Sequence, residues 1–324
     1  MSMRSNILLE APEQNNSLIY KIKRQFKIYG QNKYLILLFL PGLIWFIIFK
    51  YGPMYGLLMA FQDYSLVKGV WGSTWVGLKH FQYLFTGPDF LPVLKNTIII
   101  SAYKIIFGFP APIILALMLN EVKSTAFKRT IQTVSYLPHF FSWVVLAGLV
   151  MMALSPSVGI VNQIIQAFGG KPIFFVADKQ WFRTVLVATD IWASIGWGSI
   201  IYLAAIAGLD PELYEAAVLD GANRWQRIRH ITIPGIAPTI AVMLILRTGS
   251  ILDAGFDQVM NLYSPPVYDV ADIIDTYMYR MGIGGFQFSL TTAAGMFKSV
   301  IGFVLIIITN ILSKRVSEGE YGIW

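Results

Sequence analysis

The sequence predicts an all-α integral membrane protein with six transmembrane helices. Three observations carry that expectation. Of 324 residues, 56% are hydrophobic and only 13% charged; the apolar residues gather into runs of bilayer length; and Lys and Arg are unequally shared between the segments joining those runs. A helix needs roughly 20 mostly apolar residues to cross about 30 Å of hydrocarbon. The formal charge of +7 sits where a membrane protein places it, flanking spans, so no nucleic-acid partner is expected. With no cysteine in the chain, disulfides, thiol catalysis and Cys-ligated metals drop out.

Residues 1–33 are polar and basic and form the expected cytoplasmic N-terminal segment. The apolar run that follows is long and lacks a small-residue cleavage site, so it reads as a retained span and not a signal peptide. The six expected spans are Tyr34–Phe61, Asn96–Leu119, Val134–Leu154, Thr184–Leu209, Ala237–Gln258 and Ser289–Leu312. The first is overlong, and "FKYGP" (Phe49–Pro53) is expected to bend it or split it in two. Together they make a membrane domain over 34–312, followed by a cytoplasmic tail, 313–324.

Orientation follows from the basic residues, because cytoplasmic loops carry an excess of Lys and Arg. With the N-terminus inside, fourteen of the 25 lie on the cytoplasmic side, among them Lys123, Lys128, Arg129, Arg224, Arg227 and Arg229. Seven, such as Lys79, Lys179 and Arg280, lie outside, and Lys50, Lys104, Arg247 and Lys298 fall within spans. Both termini are thus expected in the cytoplasm of a multi-pass cell-membrane protein. On the outer side, Val158–Gly170 has helical apolar spacing, and Tyr263–Phe286 mixes Pro, Tyr and Asp. Both are expected to form short ordered caps.

The polar loop between the fourth and fifth spans, about 210–236, is the most informative stretch. Asp210 can cap free amides, Pro211 fits the first helical position and Glu212 favours the positive end of the helix dipole. That helix should end near Leu219, turn at Asp220-Gly221, and be followed by a short helix over "NRWQRIRH" before Ile231–Pro234 leads back to the membrane. Ala216 and Ala217 let another surface approach the backbone, while Glu215 and the arginines offer polar anchors. The loop has the profile of a docking element.

Its order is Glu215-Ala216-Ala217, three residues, Gly221, nine residues, then Ile231-Thr232-Ile233-Pro234. This resembles the EAA signature of permease subunits in binding-protein-dependent ABC importers, with Ile233 in place of the more usual Leu. "LPHFFSW" (Leu137–Trp143), "DPELYEAAVLDGA" (Asp210–Ala222) and the closing "EYGIW" (Glu320–Trp324) are similar to the carbohydrate-uptake branch, most of all to firmicute permeases for oligosaccharides or polysaccharide fragments. The resemblance implies a type I importer permease fold. It also implies that the loop couples the membrane helices to a cytoplasmic ATPase, with Glu215, Ala216, Ala217 and Gly221 in that role and Asp220 and Arg224 beside them. The partners it implies are a second, homologous permease, an ATPase dimer and an extracellular substrate-binding (lipo)protein.

No G-x-x-x-x-G-K-[ST] occurs; "GMFKS" at Gly295 lies within a span and has the wrong spacing. ATP and Mg are therefore expected to be used by the separate ATPase, with no cofactor in this chain. There is no H-E-x-x-H and no G-x-S-x-G, and the three histidines, His80, His139 and His230, are not at metal-ligand spacing, so neither catalysis nor a metal site is expected.

Polar residues inside spans face a bundle interior or a wet cavity. Asp190, Ser194 and Trp197 fall at i, i+4 and i+7 on one face of the fourth span, pairing a carboxylate and a hydroxyl with an indole. Sugars suit such a face, since their C–H surfaces stack on aromatics and their hydroxyls take polar partners. Arg247, Ser250, Ala254 and Asp257 make a comparable stripe on the fifth span. The substrate-binding set expected is Asp190, Ser194, Trp197, Arg247, Ser250 and Asp257. The competing interpretation is structural: Arg247 pairs with Asp190, Asp253 or Asp257 to hold helices together, and Lys298 joins that network. His139 beside Pro138 is expected to be a satisfied histidine at a helix bend, with a pivot or gate as the alternative, and Trp192 and Tyr202 to be packing or interfacial belt residues. A small phosphate ester is the alternative solute, served by Arg247 and Lys298, and an ion-coupled carrier using Asp190, Asp253 or Asp257 is the rival of a different class.

Overall fold

The computed structural model describes residues 32–316. The segment before residue 32, with its basic residues, and the tail with Glu320–Trp324 lie outside the described residues. Five helical runs are long and apolar enough to cross a bilayer: Lys33–Phe61, Phe90–Glu121, Phe182–Ala207, Arg224–Gly249 and Phe288–Arg315. The sixth crossing is a bent pair, Thr125–Phe140 and Trp143–Ala153, meeting at 112°. The all-α membrane architecture is as the sequence predicts. Several spans differ from the expectation in continuity.

The first run does not split at Phe49–Pro53. It stays helical and changes pitch, α over Lys33–Phe46, π over Ile47–Tyr51 and 3-10 over Gly52–Phe61. Pro53 falls in the first turn of the 3-10 piece, where its missing N–H costs no ladder bond. The stretch up to Gly56 forms a unit of its own, and apolar side chains such as Leu38, 81% exposed, clothe it as a lipid-facing helix would be clothed.

The third span, expected as one helix over Val134–Leu154, is the bent pair. Thr125–Tyr136 passes into a 3-10 turn at Leu137–Phe140 that holds Pro138, and Phe141 and Ser142 are extended before the helix restarts at Trp143. Pro138 cannot donate to the preceding turn, so the ladder ends there. The fifth span, expected to reach Gln258, ends at Gly249. Gly255, at φ +91°, then starts a separate short helix, Phe256–Leu262. Asp257 is therefore not on the Arg247 stripe. At its other end the fifth span is longer than expected. The "RWQR" turn runs through a π turn at Ile228–Thr232 directly into the span, so Ile231–Pro234 is helix and not a link.

The segment expected as an outer cap between the last two spans is part of the core. Val267, Ala271, Ile273 and Ile274 are fully buried, and the Ile274 amide donates to Thr97 Oγ1 at 2.9 Å. Asn96 Nδ2 donates to Asp269 O at 2.9 Å while its Oδ1 accepts from Arg183 at 2.8 Å. The Asp272 carboxylate, 2.6 Å away, holds the Arg280 guanidinium above its ordinary pKa. The other expected cap does form a helix, Ile160–Ala167. After the first span a hairpin of two-residue strands pairs Gln62 with Trp75 and Asp63 with Thr74. There a hydrogen bond from Lys79 keeps the exposed Asp63 carboxyl below its usual range.

The fourth span, Phe182–Ala207, lies at the centre of the packing. Leu186 and Phe182 join a buried cluster with Ile100, Val259 and Ile273, and Tyr202 and Ile206 join another with Ala116 and Ile236. Its closest approach to a neighbour is at Gly196, where a Cβ would lie 2.1 Å from Ser135 O.

Candidate functional site

Two regions stand out: the loop that joins the fourth and fifth spans, and a polar zone on the fourth span itself.

In the loop the expected cap, first helix and glycine turn are realised, and the second helix runs on into the span. The Asp210 carboxylate accepts from the Glu212 amide at 3.0 Å, and the helix Pro211–Leu219 follows. Gly221 adopts φ +78°. Around it the Gly221 amide donates to Val218 O at 3.1 Å and the Ala222 amide to Ala217 O at 2.8 Å, which satisfies carbonyls left over at the helix end. Asn223 and Gln226 close a reciprocal capping box at 2.9 and 2.8 Å, opening the second helix. Tyr214 Oη lies 2.9 Å from Thr232 Oγ1 and ties the two helices together. Arg224 Nε is 4.0 Å from Glu121 Oε2, at the end of the second span. The loop is thus a rigid, bent object.

Its surface carries bulky apolar side chains among the polar ones. Leu219 is 89% exposed and Trp225 69%, and Glu215, Ala216 and Asp220 are exposed beside them. Exposed bulky apolar side chains on a rigid element mark an interaction surface.

In the span region the structure brings together Asp190, Ser194 and Arg247, while Trp197 borders neither of the hollows that Asp190 and Ser194 line and meets His139 and Phe140 instead. Asp190 and Ser194 border two hollows. One, of about 460 Å³, is also lined by His139, Ser142, Asp257 and Asn261. The other, of about 190 Å³, is lined by Gly108, Gly198, Tyr202 and Arg247. Arg247 Nη2 is 3.9 Å from Asp190 Oδ2, and Ser194 Oγ donates to Asp190 O at 2.7 Å. Trp197, 47% exposed, stacks on the His139 ring at 4.5 Å and 5° and meets Phe140 edge-on. His139 is therefore a ring partner at the cleft wall and not simply a satisfied histidine at a bend.

Asp257 reaches the larger hollow from its own short helix. Ser250 does not join the group: it borders a different hollow, of about 510 Å³, with Asp253 and Lys298, and its Oγ donates to Arg247 O. Lys298 pairs with Asp275 at 2.6 and 2.8 Å and takes no part in the Arg247–Asp190 network. Tyr202 is buried and packs with Ala116, Ile206 and Ile236, whereas Trp192 is 42% exposed and borders an apolar groove. The residue whose part sequence reasoning missed is Lys104. Its side chain is 3% exposed and contacts Asp190 at 3.1 Å. The available signal was its ionisable side chain within a span.

A profile described as binding-protein-dependent transport system inner membrane component matches residues 108–318. Among curated relatives, the polygalacturonan/rhamnogalacturonan transport system permease protein YteP of Bacillus subtilis (strain 168) is 47% identical over 294 residues, covering 91% of each chain. Protein LplB of the same organism is 46% identical over 288 residues, 89% of this chain and 91% of that one. Among solved structures, a chain of a bacterial ABC transporter involved in the import of the acidic polysaccharide alginate matches with TM-score 0.84 and 44% identity, over 91% of this chain and 99% of that one. The alginate transporter in complex with its alginate pentasaccharide-bound periplasmic protein matches with TM-score 0.84 and 43% identity, over 93% of this chain and the whole of the other.

Proposed function

This chain belongs to the family of binding-protein-dependent transport system inner membrane components, and from that premise we propose that it forms one half of an import pathway for an acidic saccharide fragment. It is a multi-pass membrane protein and a transport component, not an enzyme. In the proposed assembly a second permease completes the cavity, an extracellular binding protein delivers the substrate, and a cytoplasmic ATPase dimer that uses ATP and Mg docks on the 210–232 loop.

The observation that carries the proposal is that loop: a bent helical lever with Leu219 and Trp225 bare, in a chain without a phosphate-binding motif of its own. Glu215, Ala216, Ala217, Asp220, Gly221 and Arg224 are its coupling residues. Closure of the ATPase dimer would push on the helix Pro211–Leu219, and the fifth span, continuous with the second loop helix from Arg224 to Gly249, would carry the displacement into the bilayer.

The substrate would meet Trp197 and His139 as a stacking wall, with Asp190, Ser194 and Asp257 for hydroxyls and Arg247 for a carboxylate. Ser250 lines a neighbouring hollow on the same route. The acidic class rests on the substrates named for the relatives and on the half-exposed guanidinium of Arg247, 43% accessible. A phosphate ester is less well served, because Lys298 is already engaged by Asp275.

Uptake of a labelled uronic-acid oligosaccharide, measured in cells carrying the full transporter, tests the proposal. It should vanish when either the ATPase or the binding protein is deleted, and persistence without the ATPase would overturn it. Trp197→Ala should raise the KM for uptake roughly tenfold, equivalent to about 1.4 kcal/mol of lost stacking, while the amount of assembled complex stays the same. Unchanged kinetics would remove Trp197 from the cavity wall.

A further inference from the structure

Lys104 is the only buried lysine or arginine among the described residues, and its seat is built by three separate parts of the chain. It opens a π turn, Lys104–Gly108, in the second span, a wide turn imposed ahead of Pro110 and of a kind that recurs at functional sites. Its Nζ donates to Asp190 Oδ1 at 3.1 Å, to Ala254 O at 2.9 Å and to Gln258 Oε1 at 2.5 Å. An ammonium has three protons, and all three are used, so Lys104 has nothing left to offer a substrate.

The seat is specific. Gln258 Nε2 donates to Leu186 O at 2.7 Å and to Thr189 Oγ1 at 2.8 Å, which fixes the amide with its oxygen toward Lys104. Gly255 leaves the last space: a Cβ there would lie 2.7 Å from the ammonium.

Occupying Asp190 has a consequence for its other neighbour. Arg247 lies 3.9 Å from the second oxygen of that carboxylate, beyond hydrogen-bond range, with its guanidinium bordering the smaller hollow. Without Lys104, Asp190 would hold an unmatched charge inside the membrane. The nearest remedy would be a close bidentate pair with Arg247.

We propose that Lys104 is a positioning residue for substrate recognition: by holding Asp190 it keeps Arg247 uncommitted, so that the guanidinium is free to receive a carboxylate of an acidic saccharide. The proposal rests on the saccharide reading of the cavity and adds to it a division of labour between two cations. Lys104 neutralises the wall, and Arg247 reads the cargo.

The test compares uptake of labelled trigalacturonate with that of its carboxyl-reduced, neutral counterpart by the complete transporter. Lys104→Met should raise the KM for the acidic probe by about tenfold or more, the effect of losing one charge-assisted contact, and should leave the neutral probe much less affected. The double variant Lys104→Met/Asp190→Asn removes the carboxylate that captures Arg247. It should recover acidic uptake by at least about fivefold over the single variant. A Lys104→Met transporter with unchanged acidic KM overturns the proposal. So does a double variant as poor as the single one on the acidic probe, because Arg247 would then have no carboxylate to capture it; a merely structural pair would instead lose and regain both probes alike, since removing both partners relieves the unpaired charge. Wild-type transporter that moves neither probe would defeat the saccharide reading, and this inference with it, whereas the two variant outcomes bear on Lys104 alone.

Discussion

Gly196→Ala should leave almost no assembled protein in the membrane. The added methyl would sit 2.1 Å from Ser135 O, 2.3 Å from Ser135 C and 2.8 Å from Tyr136 N, all backbone atoms that no rotamer change can move. The fourth span packs there against the helix Thr125–Tyr136, whose end leads into the bend at Leu137–Phe140 and so to the Trp197–His139 wall. Relief requires the two helices to separate, at a cost of about 3 kcal/mol or more. Gly148→Ala is the matched control, because a Cβ at Gly148 meets nothing within 4 Å. Membrane abundance and thermal unfolding of the two variants measure the difference, and equal abundance would show that the close approach does not govern packing.

Gly221→Val should produce the opposite pattern, normal abundance with uptake nearly lost. Nothing lies within 4 Å of a Cβ at this position, so space is not the constraint. The constraint is φ +78°, the left-handed region that costs a side-chain-bearing residue about 1–2 kcal/mol and a β-branched one more. The turn would relax to negative φ, giving up the two hydrogen bonds behind it and changing the angle between the helices on either side of it. A shift of that size changes the occupancy of the lever geometry roughly 5- to 30-fold, and coupling falls with it. Gly221→Asn, whose side chain tolerates the left-handed region, should retain more uptake than Gly221→Val. Co-purification of the ATPase together with uptake reads the outcome, and full transport by the valine variant would take the lever out of the mechanism.

The loop was legible in the sequence because its signals are local. Asp210-Pro211 and Asp220-Gly221 each act within a few residues, and each makes the local geometry its spacing requires. The helical class and the number of crossings were legible for a similar reason, since the bilayer imposes run length on any sequence. Continuity was not. Hydropathy averaged along a run cannot register that Pro138 ends one helix, and helical spacing of the polar residues from Arg247 to Asp257 cannot register that Gly255 turns left-handed and detaches one from the other. "FKYGP" misled in the other direction: Pro53 looked like a break and is absorbed by a change of helical pitch. The fourth-span face of Asp190, Ser194 and Trp197 followed from helix geometry alone. Its partners did not. Lys104 meets Asp190 across 86 residues and Gln258 across 154, and the ring beside Trp197 is His139, whose bend was expected at Pro138 but whose stacking partner was not.

The kink in the third crossing also determines what surrounds it. At Phe141 and Ser142 the chain is extended; the Phe141 amide still donates to Pro138 O and Ser142 O accepts from the Val145 and Leu146 amides, but the Ser142 amide and the Phe141 carbonyl stand outside the helical ladder, and hydrocarbon supplies no substitute partners. That corner must therefore touch water or another polypeptide, whereas a side chain such as Val145, exposed on an unbroken turn and away from the hollow, is free to touch fatty acyl chains. A photoreactive probe dissolved in the lipid phase should accordingly map two shores on one short stretch, a greasy one along the helix and a sheltered one at its elbow.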